Sequence, residues 1–377
     1  MLQPAEGSSP TTEDRKRNAA LVLDDGTLLT GFGFGYSGLV TGEVVFNTGM
    51  VGYTESITDP SYKGQILIQT YPLIGNYGVC HTNFESDSPK ISGYVVRELC
   101  RQPSHWSSEK SLDDWLSENS VPGIEGVDTR FLTRKIRTHG TMLGALKVFD
   151  YGELFDPTPL KRLVGHIEDP NKRDLVREVA TDRITWFGSS GKMALALIDC
   201  GVKRSIIDSL TRRGASVAVV PPSLKYDEIL SLGVKGVVLS NGPGDPKLVP
   251  YVIETVRYLM DLDMPILGIC LGIQVLALAS GGDTYKLKFG HRGQNHPVLD
   301  IRTGRAYVTS QNHGFAIDPS SLSGTGFDVT MVNANDKTVE GMRHKSRPFM
   351  GVQFHPEASP GPLDTQYIFD DFLKEVR

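Results

Sequence analysis

Two rhythms of apolar and polar residues divide the 377-residue chain near position 190. Before it, apolar runs are short and broken by glycines and turns. Residues 20–23, 42–46, 65–69 and 93–96 read as strands, with Asp25-Gly26 and Asp59-Pro60 among the turn signals between them. Residues 113–118 and 128–138 carry helical spacing. The first half is therefore expected to be a β-rich α+β domain. Beyond position 190 the runs alternate. Residues 193–198 are continuously apolar, as in a strand buried on both faces. A helix at 203–213, strands at 216–220 and 236–239, a helix at 251–262, a strand at 265–269 and a helix from 272 to about 280 follow. This alternation predicts an α/β fold, a mostly parallel sheet flanked by helices. Strands at 306–309, 328–332 and 349–354 and a closing helix over about 364–376 complete it.

The implied organisation is a disordered polar tail at 1–18, a first domain at 19–187, a Gly/Ser linker at 188–192 and a second domain at 193–377. Composition adds exclusions. A net charge of −5 gives no reason to expect a nucleic-acid or anionic-membrane surface. No apolar run approaches the roughly 18 residues that span a bilayer. The N-terminus lacks the apolar core of a secretion signal, so a cytoplasmic location is expected. The four cysteines, Cys80, Cys100, Cys200 and Cys270, lie far apart without a CxxC pair, so neither a disulfide framework nor a metal site is expected.

One of these cysteines has a special setting. In Pro265-Ile-Leu-Gly-Ile-Cys270-Leu-Gly-Ile-Gln274 a buried strand runs straight into a helix, with Cys270 at the corner and Gly268 and Gly272 on either side. That is the geometry of a nucleophile elbow. The helix N-terminus favours thiolate over thiol, and the Leu271 N–H can donate to an oxyanion. A lone cysteine is more often an inert buried hydrophobe; the flanking glycines shift the balance. A cysteine nucleophile needs a base and the base an orienting group. Gly351-Val-Gln-Phe-His355-Pro-Glu357 offers both, since side chains two apart on an extended segment share a side. A base that must be neutral before attack predicts activity falling as His355 protonates. Ser240-Asn-Gly-Pro-Gly-Asp-Pro246 and Gln311-Asn-His-Gly-Phe315 are further loops suited to a small polar substrate.

Together these segments resemble the class I (triad) glutamine amidotransferases over residues 193–377. The resemblance implies Cys270 as nucleophile, His355 as acid–base and Glu357 as its orienting partner. It implies glutamine contacts at Gly242, Gly244, Leu271, Gln274, Asn312, Gly314 and Phe315, with the Gly242 and Leu271 N–H groups stabilising the oxyanion. Phe46-Asn-Thr-Gly-Met50, Gly52-Tyr-Thr-Glu-Ser-Ile-Thr-Asp-Pro-Ser-Tyr62, Tyr71-Pro-Leu-Ile-Gly-Asn76, Asp128-Thr-Arg130 and Lys288-Phe-Gly-His-Arg-Gly-Gln-Asn-His-Pro297 narrow this to a likeness with carbamoyl-phosphate synthetase small subunits. Two positions depart from that pattern: Gly49 stands where a serine often contacts glutamine, and Ile273 where a histidine is common.

The resemblance further implies glutamine as substrate and a large synthetase subunit as partner, which would take the ammonia to carbamoyl phosphate for arginine and pyrimidine synthesis. No GxxxxGK[ST] loop is present, so no cofactor is expected in this chain, and ATP with its divalent metal is expected on the partner. The first domain, lacking evident chemistry, is expected to dock that partner. Two alternatives stand beside this reading: an amidotransferase subunit of another synthase, which would lack the first-domain segments, and a non-catalytic regulatory subunit, which would lack the cysteine.

Overall fold

The computed structural model describes residues 17–188 and 193–376. The expected tail therefore lies outside the described residues except for its last two positions, and most of the expected linker lies outside them too. Arg17 and Asn18 do not behave as tail. The Asn18 N–H donates to Gly31 O at 3.1 Å, and Arg17 donates to the Thr30 hydroxyl at 2.8 Å, which ties both to the strand beginning at Leu28.

The first half closes into a seven-stranded barrel in the order Ala19–Leu23, Leu28–Gly35, Pro122–Glu125, Gly93–Val95, Gln65–Gln69, Gly38–Asn47, Met142–Val148. Ala19–Leu23 is buried along its whole length, which is why it reads as a continuous apolar run rather than an alternating one. Parallel and antiparallel pairs mix around the barrel. The helices Leu112–Glu118 and Thr129–His139 start where Ser111 and Asp128 accept backbone N–H groups of their first turns.

The second half is built on a ten-stranded sheet. Its centre is parallel and runs Ala215–Val220, Met193–Ile198, Gly236–Leu239, Ile266–Ile269, Phe349–Val352. Two apolar clusters cover its faces, one including the helices Pro250–Asp261 and Leu271–Ala279, the other Arg204–Thr211 and Tyr367–Glu375. From Phe349–Val352 outward the sheet turns antiparallel, through Val339–His344, Phe327–Asn333, Thr284–Asp300 and Ala306–Ile317. The strand Thr185–Phe187 at the other edge pairs antiparallel with Ala215–Val220. It therefore belongs to the second sheet, although its sequence position had placed it in the first domain.

The halves meet through polar contacts. Glu85 of the first accepts from the Ser205 hydroxyl at 2.7 Å, and the Thr48 N–H donates to Arg292 O at 3.2 Å. This seam lies at the carboxyl ends of the parallel strands, where open α/β sheets bind ligands.

Candidate active site

Cys270 caps the helix Leu271–Ala279 directly after the strand Ile266–Ile269, with φ 56° and ψ −104°. A non-glycine residue at positive φ is strained, and such strain concentrates at functional sites. The flanking glycines are required by space. A Cβ on Gly272 would lie 2.2 Å from Leu239 O, and one on Gly268 would lie 2.6 Å from the backbone of Gly272. The elbow closes only if both lack side chains. Leu271 opens the helix, so its N–H has no acceptor within it and remains available to a substrate oxygen.

His355 arrives on the backbone beside Ser310, whose carbonyl accepts the His355 N–H at 2.9 Å. Its Nδ1 lies 2.6 Å from Glu357 Oε1, as the two-residue spacing predicted. Both residues are buried. His355 Nε2 is buried without a hydrogen-bond partner, and the Cys270 thiol is among the groups that raise the ring's pKa. Burial alone would lower that pKa; the Glu357 carboxylate outweighs it and holds the imidazole up to about 10. Burial would likewise raise Glu357, but the Lys203 ammonium and the His355 ring bring it down to about 2. The carboxylate thus favours the protonated form of the ring. This surrounding bears on the sequence-based expectation that activity falls as His355 protonates, because it favours the protonated ring before attack.

Sequence reasoning missed Lys203, which it read only as the start of a helix that in fact runs Arg204–Thr211. Its Nζ donates to Glu357 Oε1 at 3.1 Å and to Ala358 O at 2.7 Å, and the residue is buried. Glu357 therefore sits between two cationic groups, and the triad extends to a fourth member.

Gly242, Gly244, Cys270, Leu271, Gln274, Asn312, Gly314 and Phe315 all line one pocket. Gly244 has φ +84°, which only glycine adopts freely. A Cβ on Gly242 would lie 2.1 Å from Cys200 O. Gln274 Nε2 donates to Phe315 O and Gln353 Oε1, both at 2.9 Å, which fixes the side chain in the pocket wall. Glu43, Ser61, Gln65 and Thr141 of the first domain share this pocket with Lys286 and Arg292. The first domain is thus part of the site wall, not only a surface for a partner. Asp59, read from sequence as a turn signal, links the first domain to the site directly. Its carboxylate accepts from Asn312 Nδ2 at 2.8 Å and from Asn241 Nδ2 at 3.4 Å, so one first-domain residue ties both substrate loops. A second cavity touches His355, lined by Asn47, Glu55, Asp59, Lys203 and Ser310 among others.

The space above Gly49 is taken. A Cβ there would lie 2.5 Å from Gln294 Nε2, which donates to Val51 O at 2.6 Å. The carboxamide of Gln294 fills the volume that a serine side chain would need.

Two family descriptions match the chain: glutamine amidotransferase class-I over residues 196–375, and carbamoyl-phosphate synthase small chain, CPSase domain, over residues 21–146. A carbamoyl phosphate synthase small chain of Methanopyrus kandleri is 51% identical, over 95% of this chain and 99% of its own length. The chain belongs to the carbamoyl phosphate synthase small chain family. Proteins of that name from Archaeoglobus fulgidus, 51% identical over 95% of this chain and 99% of their own, and Bacillus caldolyticus, 48% identical over 95% and 96%, agree. As a member, the chain is a glutamine-hydrolysing subunit. No helix among the described residues is long and apolar enough to cross a membrane.

Proposed function

We propose that Cys270 attacks the carboxamide carbon of glutamine as the thiolate partner of the His355 imidazolium. The C–S bond forms as the carbonyl π pair moves onto oxygen, which the N–H groups of Leu271 and Gly242 stabilise. The C–N bond then breaks, and the proton on His355 Nε2 leaves with the nitrogen as ammonia. Water, deprotonated by the now neutral His355, cleaves the γ-glutamyl thioester to glutamate and restores the imidazolium–thiolate pair. Glu357 holds the ring by Nδ1, and Lys203 holds Glu357. The observation that carries this reading is the buried chain of contacts Lys203–Glu357–His355 beside a strained cysteine. Acid quench after mixing with labelled glutamine tests it: the label should appear on the peptide containing Cys270, and label on any other residue would sink the assignment.

The ammonia passes, in this reading, to a large synthetase subunit, where ATP with its divalent metal activates bicarbonate and then carbamate. Ammonia released to neutral water is protonated and loses its nucleophilicity, so an enclosed exit is needed. The second cavity at His355 supports one, because it opens on the group that hands the nitrogen its proton. The complex works in the cytoplasm, consistent with cysteines that are all free. Co-purification of a tagged chain with a partner carrying ATP-binding domains checks the pairing.

A further inference from the structure

His291, His313 and Glu340 come from three different strands, Thr284–Asp300, Ala306–Ile317 and Val339–His344, and all three are buried. Each brings one ligand atom to within 4.8 Å of the other two. Hydrogen bonds fix both tautomers. His291 Nε2 lies 2.8 Å from the Asp336 carboxylate and donates its proton there. His313 Nδ1 lies 2.8 Å from the Phe315 carbonyl and must donate as well. The lone pairs therefore sit on His291 Nδ1 and His313 Nε2. His291 Nδ1 has no hydrogen-bond partner and stands 3.7 Å from Glu340 Oε1. Glu340 Oε2 is also buried without a partner.

His313 Nε2 faces the Gln311 carboxamide at 3.1 Å. With that amide turned so that its Nε2 donates to His313 Nε2, the Thr309 hydroxyl can swing from His296 O to the relocated Gln311 Oε1. A second proton on His291 would pair its Nδ1 with Glu340. A divalent cation is the other occupant that suits His291 Nδ1, His313 Nε2 and Glu340, and metal content tells the two states apart.

We propose that His291 Nδ1, His313 Nε2 and a Glu340 oxygen bind a divalent transition metal, with zinc the best match to two imidazoles and a carboxylate. Both histidines give their other N–H to an oxygen acceptor, the outer arrangement that orients metal-bound imidazoles. Tetrahedral bonds of about 2.1 Å separate ligand atoms by roughly 3.4 Å, so shifts of about 1 Å close the site. The metal is structural. It ties the strands Thr284–Asp300, Ala306–Ile317 and Val339–His344 together at the residue between Asn312 and Gly314. Consecutive-residue spacing could not reveal it, because the ligands meet only across the sheet.

The test uses the full-length chain stripped with chelator and titrated with zinc against a chromophoric competitor, with metal content read by mass spectrometry. One zinc per chain is expected, with affinity reduced at least about 10-fold in Glu340→Gln. His81→Ala, in the exposed cluster with Cys80 and Glu109, should bind as the parent does. Cobalt in the unaltered chain should give d–d bands without a sulfur-to-metal charge-transfer band. Substoichiometric binding in excess zinc, a Glu340→Gln variant as tight as the parent, or a sulfur-to-cobalt band would each overturn the site.

Discussion

Lys203 donates to Glu357 at 3.1 Å, and both side chains are buried. Such a pair is weak evidence for stability, but removing one partner strands a charge at a cost of about 3–5 kcal/mol. Here the stranded charge would be the carboxylate that holds the catalytic ring. Lys203→Met should therefore lower kcat for glutamine hydrolysis about 100-fold, the scale of lost acid–base assistance. Losing the ammonium lets the Glu357 pKa climb from about 2, so the acid limb of the kcat profile should move to higher pH. A profile that falls in amplitude without moving would mean that Lys203 only supports the fold.

Stability should follow the same pair through pH. His355 is raised to about 10, above its usual 6.5, so its contribution is complete below pH 6.5 and is lost as pH rises through 10. Glu357 is depressed to about 2, so its contribution is present above its usual 4.5 and is lost as pH falls through 2. Melting temperatures of the parent and His355→Asn should therefore differ most below pH 6.5 and converge toward pH 10. A difference that stays constant over that range would contradict the assigned pairing.

Asp59 makes the first domain answerable for the site. Without its carboxylate, Asn312 Nδ2 loses its buried acceptor, at about 1–3 kcal/mol in unmet hydrogen bonding, while Asn241 Nδ2 keeps the Ser61 hydroxyl at 2.9 Å. Asp59→Ala should cut kcat/KM for glutamine at least 10-fold, with circular dichroism unchanged. Unaltered kinetics would confine the first domain to docking.

Gly49 and Gln294 should behave as one unit. Gly49→Ser alone drives Gln294 from its contact with Val51 O and should raise KM. Gln294→Gly in the same chain opens room for the hydroxyl and should recover much of that loss. The double-mutant coupling is expected at about 0.5–3 kcal/mol, typical of residues in contact. Strict additivity would show that the two do not compete for space.

The elbow was legible because its glycines are dictated locally: Gly268 and Gly272 are excluded from having side chains by their own helix and the adjacent strand. His355 and Glu357 were legible because two residues on one short segment carry the whole interaction. Lys203 and Asp59 were not, since each acquires its role across the fold, 154 residues from Glu357 and 253 from Asn312. The strand Thr284–Asp300 escaped notice for another reason. Its pairing with Ala306–Ile317 shifts register between Lys286 and His291 and again between Gly293 and His296, and each shift breaks the period of two that a strand shows in sequence. The barrel's closure was equally hidden, because it depends on which strands pair and not on any one of them.

In the proposed mechanism Cys270 is the group through which nitrogen is released from glutamine. The most direct measurement is carbamoyl phosphate formation by the Cys270→Ala chain in complex with its synthetase partner, assayed with glutamine and with ammonium in parallel. Glutamine-dependent synthesis should vanish while ammonium-dependent synthesis continues at the rate of the unaltered complex. Persistence of the glutamine-dependent rate would contradict the account at its centre.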